Sequence, residues 1–277
     1  MSIFNKINLS QDFLTASWFK AKYFTNFGYK QDAPSDKDYL FSVSPMASQN
    51  IGEDVDLRRF YKNVSDQYSL GSCCSQTTAD CFEQQIAFKN KIDPSQVKDI
   101  SRLFIYWCAR NLMDPPQTNI DEGTRLRLCY DTIARYGACF EDIWIYDISK
   151  VNVRPSILAF RSAVANRISA FYRLDANEDA LITQMKQALQ AGSPISFGTQ
   201  INDAFRNMNS DMPIQPPTSG FIGGHALAVA GYNSNKRSFI VRNSWGTDWN
   251  ACMGGYCYMS ENYFKADITR DLWVPCL

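Results

Sequence analysis

The spacing of apolar residues changes partway along the chain, and this change limits the possible folds more than any other feature. Before residue 192, apolar residues recur at helical spacing in CCSQTTADCFEQQIAF, SRLFIYWCARNL, TRLRLCYDTIARYG and EDALITQMKQALQAG. After Pro213, short runs rich in aromatic and β-branched residues alternate with turn signals, in HALAVAGY, RSFIVRNSW and GGYCYMS. The pattern predicts an α+β fold, with a mainly helical lobe at roughly 66–150 and a mainly antiparallel β lobe at roughly 190–277.

Local signals set the expected ends of these helices. The first helix is predicted to start between Ser72 and Cys74, and Gly137 is expected to close the third as a C-terminal cap. The fourth is expected to end at Gly192 and to lead into a short strand, PISFGTQ. The segment before about residue 53 is aromatic but irregular, so we expect an N-terminal extension at 1–53 and one domain at 54–277.

Charge and hydropathy exclude several classes of function. Lys plus Arg and Asp plus Glu both number 28, so the formal net charge is zero and nothing favours binding to nucleic acid or to an anionic membrane. No apolar run approaches the ~18 residues of a membrane span, and the N-terminus lacks a secretory signal pattern. We therefore expect a monomer that is cytoplasmic, or packaged in a particle or compartment without classical secretion.

The nine cysteines cannot all pair within the chain, because their number is odd. Their spacings do not give the close pairs that zinc sites use, and the chain has one histidine. We expect neither a metal nor an organic cofactor, and at least one thiol needs another role.

Cys73 is the candidate nucleophile. A thiol attacks a carbonyl group as thiolate, and an unperturbed cysteine with a pKa near ~8.5 is mostly protonated at neutral pH. The dipole of a helix that starts at Cys73 stabilises the anion by about 0.3–1 kcal/mol, whereas each pKa unit requires ~1.4 kcal/mol. An imidazolium ion beside the sulfur supplies the remainder and can protonate a leaving amine, and His225 is the only candidate.

Two further residues could complete such a site. Asn243 follows the next predicted strand and can hold one nitrogen of the His225 ring, while Trp245 covers that bond from water. Gln67, six residues before Cys73, can supply a hydrogen bond to a developing oxyanion. Taken singly, each has an ordinary alternative, since a lone histidine or tryptophan is usually a packed residue and a lone asparagine a turn or cap residue.

Three segments, in order along the chain, resemble the papain-like cysteine peptidases. DQYSLGSCCS resembles the nucleophile motif of that family, GGHALAVAGY its histidine strand, and VRNSWGTDWNACMGGYCYM its Asn-Ser-Trp-Gly segment. Weaker likenesses in VDLRRFYKNVSDQ and IDEGTRLRLCYDTIARYGACFEDIWIYD extend the match over most of the chain. The resemblance implies a papain-like two-lobed fold with the active-site cleft between the lobes, and thiol protease activity on polypeptides.

Roles carried over by position follow from this resemblance. They make Cys73 the nucleophile, His225 the acid/base and Asn243 its orienter, with Gln67 and the Cys73 amide as the oxyanion hole. The expected substrate-binding residues are Gly123, Gly198, Gly224, Ala226 and Trp245. Of these, the small residues Gly198, Gly224 and Ala226 imply a roomy apolar specificity pocket, and Gly123 falls near the strand that binds substrate backbone. Papain-like peptidases are commonly made as zymogens, so residues 1–53 are expected to be a short pro-segment or an arm that covers the cleft, although they could instead staple the lobes together permanently.

The sequence departs from the family pattern at positions near the site. Leu70 replaces a common disulfide cysteine, and Cys74 replaces the usual bulky aromatic after the nucleophile, which creates a vicinal cysteine pair. Tyr68 and Asn250 stand where glycine is common. The other cysteines are interpreted mainly as small buried hydrophobic residues.

Two other functions stay open at this point. An acyltransferase or transamidase would use the same triad, with an amine in place of water attacking the thioester. A catalytically silent papain-like binding protein would keep the fold alone.

Overall fold

The structure, a computed structural model, describes residues 27–42 and 53–277. The aromatic residues of the predicted extension at Trp18, Phe19, Tyr23 and Phe24 lie outside the described residues. The described part combines a group of helices with one antiparallel sheet, which confirms the predicted α+β class.

Most of the helices precede the sheet in sequence. They are α1 (Cys73–Asn90), α2 (Arg102–Asn111), α3 (Leu126–Arg135), α4 (Ile157–Ala163), α5 (Glu178–Gln190), α6 (Asp203–Arg206) and α7 (Glu261–Lys265). Short 3₁₀ helices lie at Arg58–Phe60, Pro94–Gln96, Ile148–Lys150 and Ala251–Met253. The four predicted helices are confirmed as α1, α2, α3 and α5, whereas the short α4, α6 and α7 were not expected from the apolar spacing.

The sheet has seven strands. They are β1 (Val55–Asp56), β2 (Ala170–Leu174), β3 (Ile195–Asn202), β4 (Phe221–Asn233), β5 (Ser238–Arg242), β6 (Tyr256–Ser260) and β7 (Thr269–Cys276). Their order is β2-β7-β3-β4-β5-β6, with β1 paired to β4, and every pairing is antiparallel. The predicted strands are confirmed as β3 to β6, and β1, β2 and β7 are additional.

Helix α1 is buried along nearly its whole length, which is uncommon for a helix with so many polar residues. It packs on one side against α2 and α3, and on the other against β4. Its buried charges are paired: Asp80 binds Arg102 of α2 at 2.7 Å and Arg242 of β5 at 2.7 Å. This ion network ties the helix that begins at Cys73 to the end of the strand that precedes Asn243.

All nine cysteines lie in the described part of the chain and are free thiols. Most of them are buried, as expected for small apolar side chains, but Cys252 is exposed and Cys276 is partly exposed. Within residues 27–42 and 53–277, no helix has both the length and the apolar character needed to cross a membrane.

Candidate active site

Cys73 is the first residue of α1, with Ser72 at the N-cap position. The first amides of a helix have no partner within the helix, so the backbone around Cys73 offers hydrogen-bond donors and a partial positive charge. The Cys73 side chain is buried in the core cluster that joins α1 to α3. The predicted helix start is therefore confirmed, and it places the thiol at the positive end of the helix.

His225 lies in β4, next to Thr199 of β3 in the antiparallel register. Its Nε2 is 2.8 Å from Asn243 Oδ1, and Trp245 stacks on the ring with centroids 4.6 Å apart. This geometry fixes the ring plane and makes Nε2 the nitrogen that carries hydrogen toward Asn243. The other nitrogen, Nδ1, contacts no oxygen or nitrogen partner among the described residues, which leaves it to the Cys73 thiol.

The neighbours of the Cys73 thiol lower its pKa. Burial by itself raises its pKa, but hydrogen bonds from Cys74 and His225 and the positive charge of the His225 ring outweigh burial and hold the pKa well below its usual value. The neighbouring thiol behaves in the opposite way, because burial and the Cys73 thiolate raise the Cys74 pKa well above its usual value. Of the vicinal pair, Cys73 is the one that ionises.

Gln67 is held in place from the segment that contains Asn243. Its backbone amide donates to Ser244 O at 2.9 Å, and its Oε1 accepts from Ser244 Oγ at 2.7 Å. Its Nε2 donates to Leu70 O at 2.8 Å, which uses one of the two hydrogens on that nitrogen. That leaves one hydrogen on Nε2 for a further acceptor.

Three of the predicted substrate-binding residues, Gly198, Gly224 and Ala226, lie around an aromatic ring from the N-terminal extension, whereas Gly123 contacts Gly28 and Trp245 stacks on His225. An added side-chain carbon at Gly198 would lie 2.0 Å from the Tyr29 ring, and one at Gly224 would lie 2.7 Å from Tyr29 O. Ala226 belongs to the same buried cluster as Tyr29. The lack of side chains at the two glycines is what makes room for this ring.

Residues 27–32, here called the arm, run through the cleft between the helices and the sheet. Tyr29 N donates to Gly224 O at 3.2 Å, Lys30 N donates to Thr124 O at 2.9 Å, and Thr124 N donates to Gly28 O at 2.8 Å. Gly28 packs against Gly71 and Gly123. A side-chain carbon added at Gly28 would lie 1.7 Å from Gly71 O. The arm thus covers the stretch of backbone just before Cys73.

Two buried carboxyl groups meet at the end of the pocket. The Tyr29 hydroxyl donates to Asp271 Oδ2 at 2.6 Å, and Asp32 N donates to the same oxygen at 2.7 Å. Asp32 Oδ2 accepts from Trp273 Nε1 at 3.0 Å. Burial, and then the charge of Asp271, raise the pKa of Asp32 to about 7, although Arg127 acts in the opposite direction.

Sequence reasoning did not single out Gly28, Asp32 or Asp271. Gly28 had a recognisable signal, since it stands between Phe27 and Tyr29 in an aromatic-rich segment. Asp271 gave no such signal, because a single acidic residue in a short run of mixed polar and apolar residues looks the same as one on any exposed strand. In the part of the chain that the structure describes, no group of three or more His, Cys, Asp or Glu residues is arranged to hold a metal ion.

Comparisons with known proteins agree on the family. A family model described as papain family cysteine protease matches residues 51–276. A peptidase C1-like protein of Acanthamoeba polyphaga mimivirus is 32% identical over 90% of this chain and 86% of its own length. A cathepsin L-like proteinase of Fasciola hepatica is 23% identical over 90% of this chain and 71% of its own length. The crystal structure of xylellain, a cysteine protease from Xylella fastidiosa, superimposes with a TM-score of 0.79 and 26% identity, covering 91% of this chain and 96% of that one.

Proposed function

Since this chain belongs to the papain family of cysteine proteases, we propose that it cleaves internal peptide bonds of polypeptides with Cys73, His225 and Asn243 as its catalytic triad. Peptidase activity follows from the family, and the assignment of the chemistry to these residues is the proposal. Its main support is the orientation of His225: Nε2 is bound to Asn243 at 2.8 Å, which leaves Nδ1 to exchange a proton with the Cys73 sulfur.

In the first half of the reaction, the Cys73 thiolate attacks the carbonyl carbon of the scissile bond. The electron pair of the carbonyl group moves to oxygen, and the Cys73 amide and Gln67 Nε2 donate hydrogen bonds to that oxyanion. When the tetrahedral intermediate collapses, the C–N bond breaks and His225 transfers its proton to the leaving amine. The product of this half is a thioester on Cys73.

In the second half, neutral His225 takes a proton from water while the water oxygen attacks the thioester. Collapse of the second intermediate breaks the C–S bond, releases the carboxylic acid and restores the thiolate beside the imidazolium ion. Throughout, Asn243 and the stacked Trp245 ring hold the imidazole at one angle to the sulfur.

We also propose that the arm inhibits the full chain. Tyr29 fills the pocket that would receive a substrate side chain, and the arm backbone occupies hydrogen-bonding groups of Gly224 and Thr124. A substrate and the arm therefore compete for the same groups. The full chain is expected to cleave a peptide substrate more slowly than a form that starts near Val55, and equal rates would contradict inhibition.

The triad is tested by labelling with a peptidyl epoxide and locating the label by mass spectrometry. We expect alkylation of Cys73 in the active protein and its loss in Cys73→Ala and in His225→Ala, because the imidazole is needed to keep the sulfur ionised. Cys252→Ala is the matched control, since Cys252 is an exposed free thiol away from the helix terminus. Labelling of Cys252 alone, with Cys73 unmodified after the arm has been displaced, would contradict the proposed nucleophile.

A further inference from the structure

The pocket filled by Tyr29 has small residues along its sides and a carboxylate, that of Asp271, at its far end. Asp271 is buried, and its Oδ2 accepts hydrogen bonds from two groups of the arm, the Tyr29 hydroxyl and the Asp32 amide. Both of these donors leave with the arm. A substrate that enters the open cleft therefore meets an acceptor oxygen that has lost its donors.

An unmatched buried acceptor discriminates strongly between ligands. A side chain that reaches Asp271 without a donor leaves Oδ2 of the carboxylate desolvated and without a hydrogen bond, whereas a hydroxyl at the right distance restores the bond. The arm itself shows the size that fits, because the pocket closes around a tyrosine ring between Gly198 and Gly224.

The charge around Asp271 disfavours a cationic side chain. Arg173 Nη2 lies 3.6 Å from Asp271 Oδ1, and the guanidinium groups of Arg127 and Arg173 both lie over the Trp273 ring. In the covered state both arginines also pair with Asp38, at 2.6 and 3.1 Å. If the whole extension, including Asp38, leaves with the arm, Arg127 and Arg173 remain near Asp271, and Arg173 has one other carboxylate close by, that of the exposed Asp175 at 3.7 Å.

We infer that Asp271 makes this peptidase select substrates with tyrosine in that pocket, in preference to phenylalanine or to lysine and arginine. The effect on cleavage rests on the proposed function. The preference for tyrosine rests separately on the contact between the Tyr29 hydroxyl and Asp271. Asp271 is thus a specificity residue that touches the substrate without taking part in bond breaking.

The first experiment measures cleavage in a full-length Gly28→Ala variant, whose arm cannot pack against Gly71. Fluorogenic tetrapeptides carry tyrosine, phenylalanine or lysine in place of alanine at each of the four positions before the scissile bond. At one position we expect tyrosine to exceed phenylalanine in kcat/KM by about tenfold, the size of a hydrogen bond to a charged group.

Adding Asp271→Gly should abolish the difference, because glycine removes the carboxylate and also suits the positive φ of 55° at this position. Asp267→Asn, at an exposed aspartate in the turn before β7, is the matched control and should keep the preference.

The second experiment needs no catalysis and uses Tyr29 as the ligand. Hydrogen exchange of the arm is compared in the otherwise wild-type full chain, in Tyr29→Phe, in Asp271→Gly and in the double variant. We expect Tyr29→Phe to make the amide hydrogens of the arm exchange about tenfold faster when Asp271 is present, and to have no effect in the Asp271→Gly background.

The two experiments separate the possible failures. Equal cleavage of tyrosine and phenylalanine peptides at all four positions, or exchange that is insensitive to the Tyr29 hydroxyl, would overturn the selectivity. If the exchange results show the coupling but no peptide is cleaved by Gly28→Ala, the pocket preference is supported as binding and the proposed catalytic function fails.

Discussion

Gly28→Ala should release the arm and activate the full chain without removing any residue. A methyl carbon at Gly28 would lie 1.7 Å from Gly71 O and 2.6 Å from Gly71 Cα, far inside van der Waals contact with backbone. Gly71 cannot easily yield, because its amide donates to Asp121 at 3.1 Å and it directly precedes the buried start of α1. We therefore expect the arm to be the part that moves.

The size of the effect follows from the bonds that displacement breaks. Three backbone hydrogen bonds join Gly28, Tyr29 and Lys30 to the cleft, and each contributes about 0.5–1.5 kcal/mol net. Their loss weakens arm binding by about 1.5–4.5 kcal/mol, which corresponds to a change of roughly 10- to 1000-fold in the ratio of covered to open cleft. The initial rate should rise accordingly until the open form predominates.

The assay is the initial rate of peptide cleavage, measured together with the rate of epoxide labelling at Cys73. Asp36→Ala, at an exposed position in the same extension, controls for a general effect of substitution and should leave both rates unchanged. Gly28→Ala combined with His225→Ala should be inactive, which ties any gain to the proposed site. If Gly28→Ala is folded and its labelling rate equals that of the wild type, the arm does not limit access to Cys73 and the reasoning is wrong.

Three further predictions concern the oxyanion site, pH and stability. Gln67→Ala should lower kcat by about 10²–10³-fold with a smaller effect on KM, because Gln67 would bind the oxyanion and not the ground-state carbonyl; steady-state kinetics test this. Burial and the charge of Asp271 raise the pKa of Asp32 to about 7 in the covered state, so the arm should bind best below about pH 4 and loosen as pH rises through 7; the ratio of Cys73 labelling rates in wild type and Asp32→Asn, measured at pH 5 and pH 8, tests the sign. Asp80→Asn leaves buried Arg242 without a carboxylate partner and Arg102 with Glu83 alone, and it should lower the free energy of unfolding by about 3–5 kcal/mol, measured by denaturant titration.

The catalytic residues could be selected from the sequence because local rules fix their places. A helix start determines the position of Cys73, and a strand followed by the Asn-Ser-Trp-Gly segment fixes that of His225 and Asn243. Local patterns do not predict that the segment with Cys73 lies next to the segment with His225 and Asn243. The resemblance to the papain-like peptidases supplied that expectation. The structure places His225 Nε2 2.8 Å from Asn243 Oδ1 and sets the ring against the Cys73 thiol.

The end of the pocket could not be predicted in the same way. Gly198, Gly224 and Ala226 suggested a roomy apolar pocket, and these small residues do line its sides. Its far end comes from β7, which was not recognised as a strand because Arg270, Asp271 and a proline interrupt its apolar residues. Asp271 reaches the pocket only because β7 pairs with β3, and such pairing between distant segments leaves no local pattern.

Asp271 links the control of this enzyme to its selectivity. While the arm is bound, Asp271 and Asp32 share a buried region, so binding of the arm favours a protonated Asp32. Once the arm leaves, Asp32 goes with it, and Asp271 faces the open pocket beside Arg173. The carboxylate that makes arm release depend on pH is then the group that a tyrosine hydroxyl must satisfy. A substitution at Asp271 should consequently change both properties together, whereas Asp32→Asn should change the pH dependence of release and leave the tyrosine preference intact.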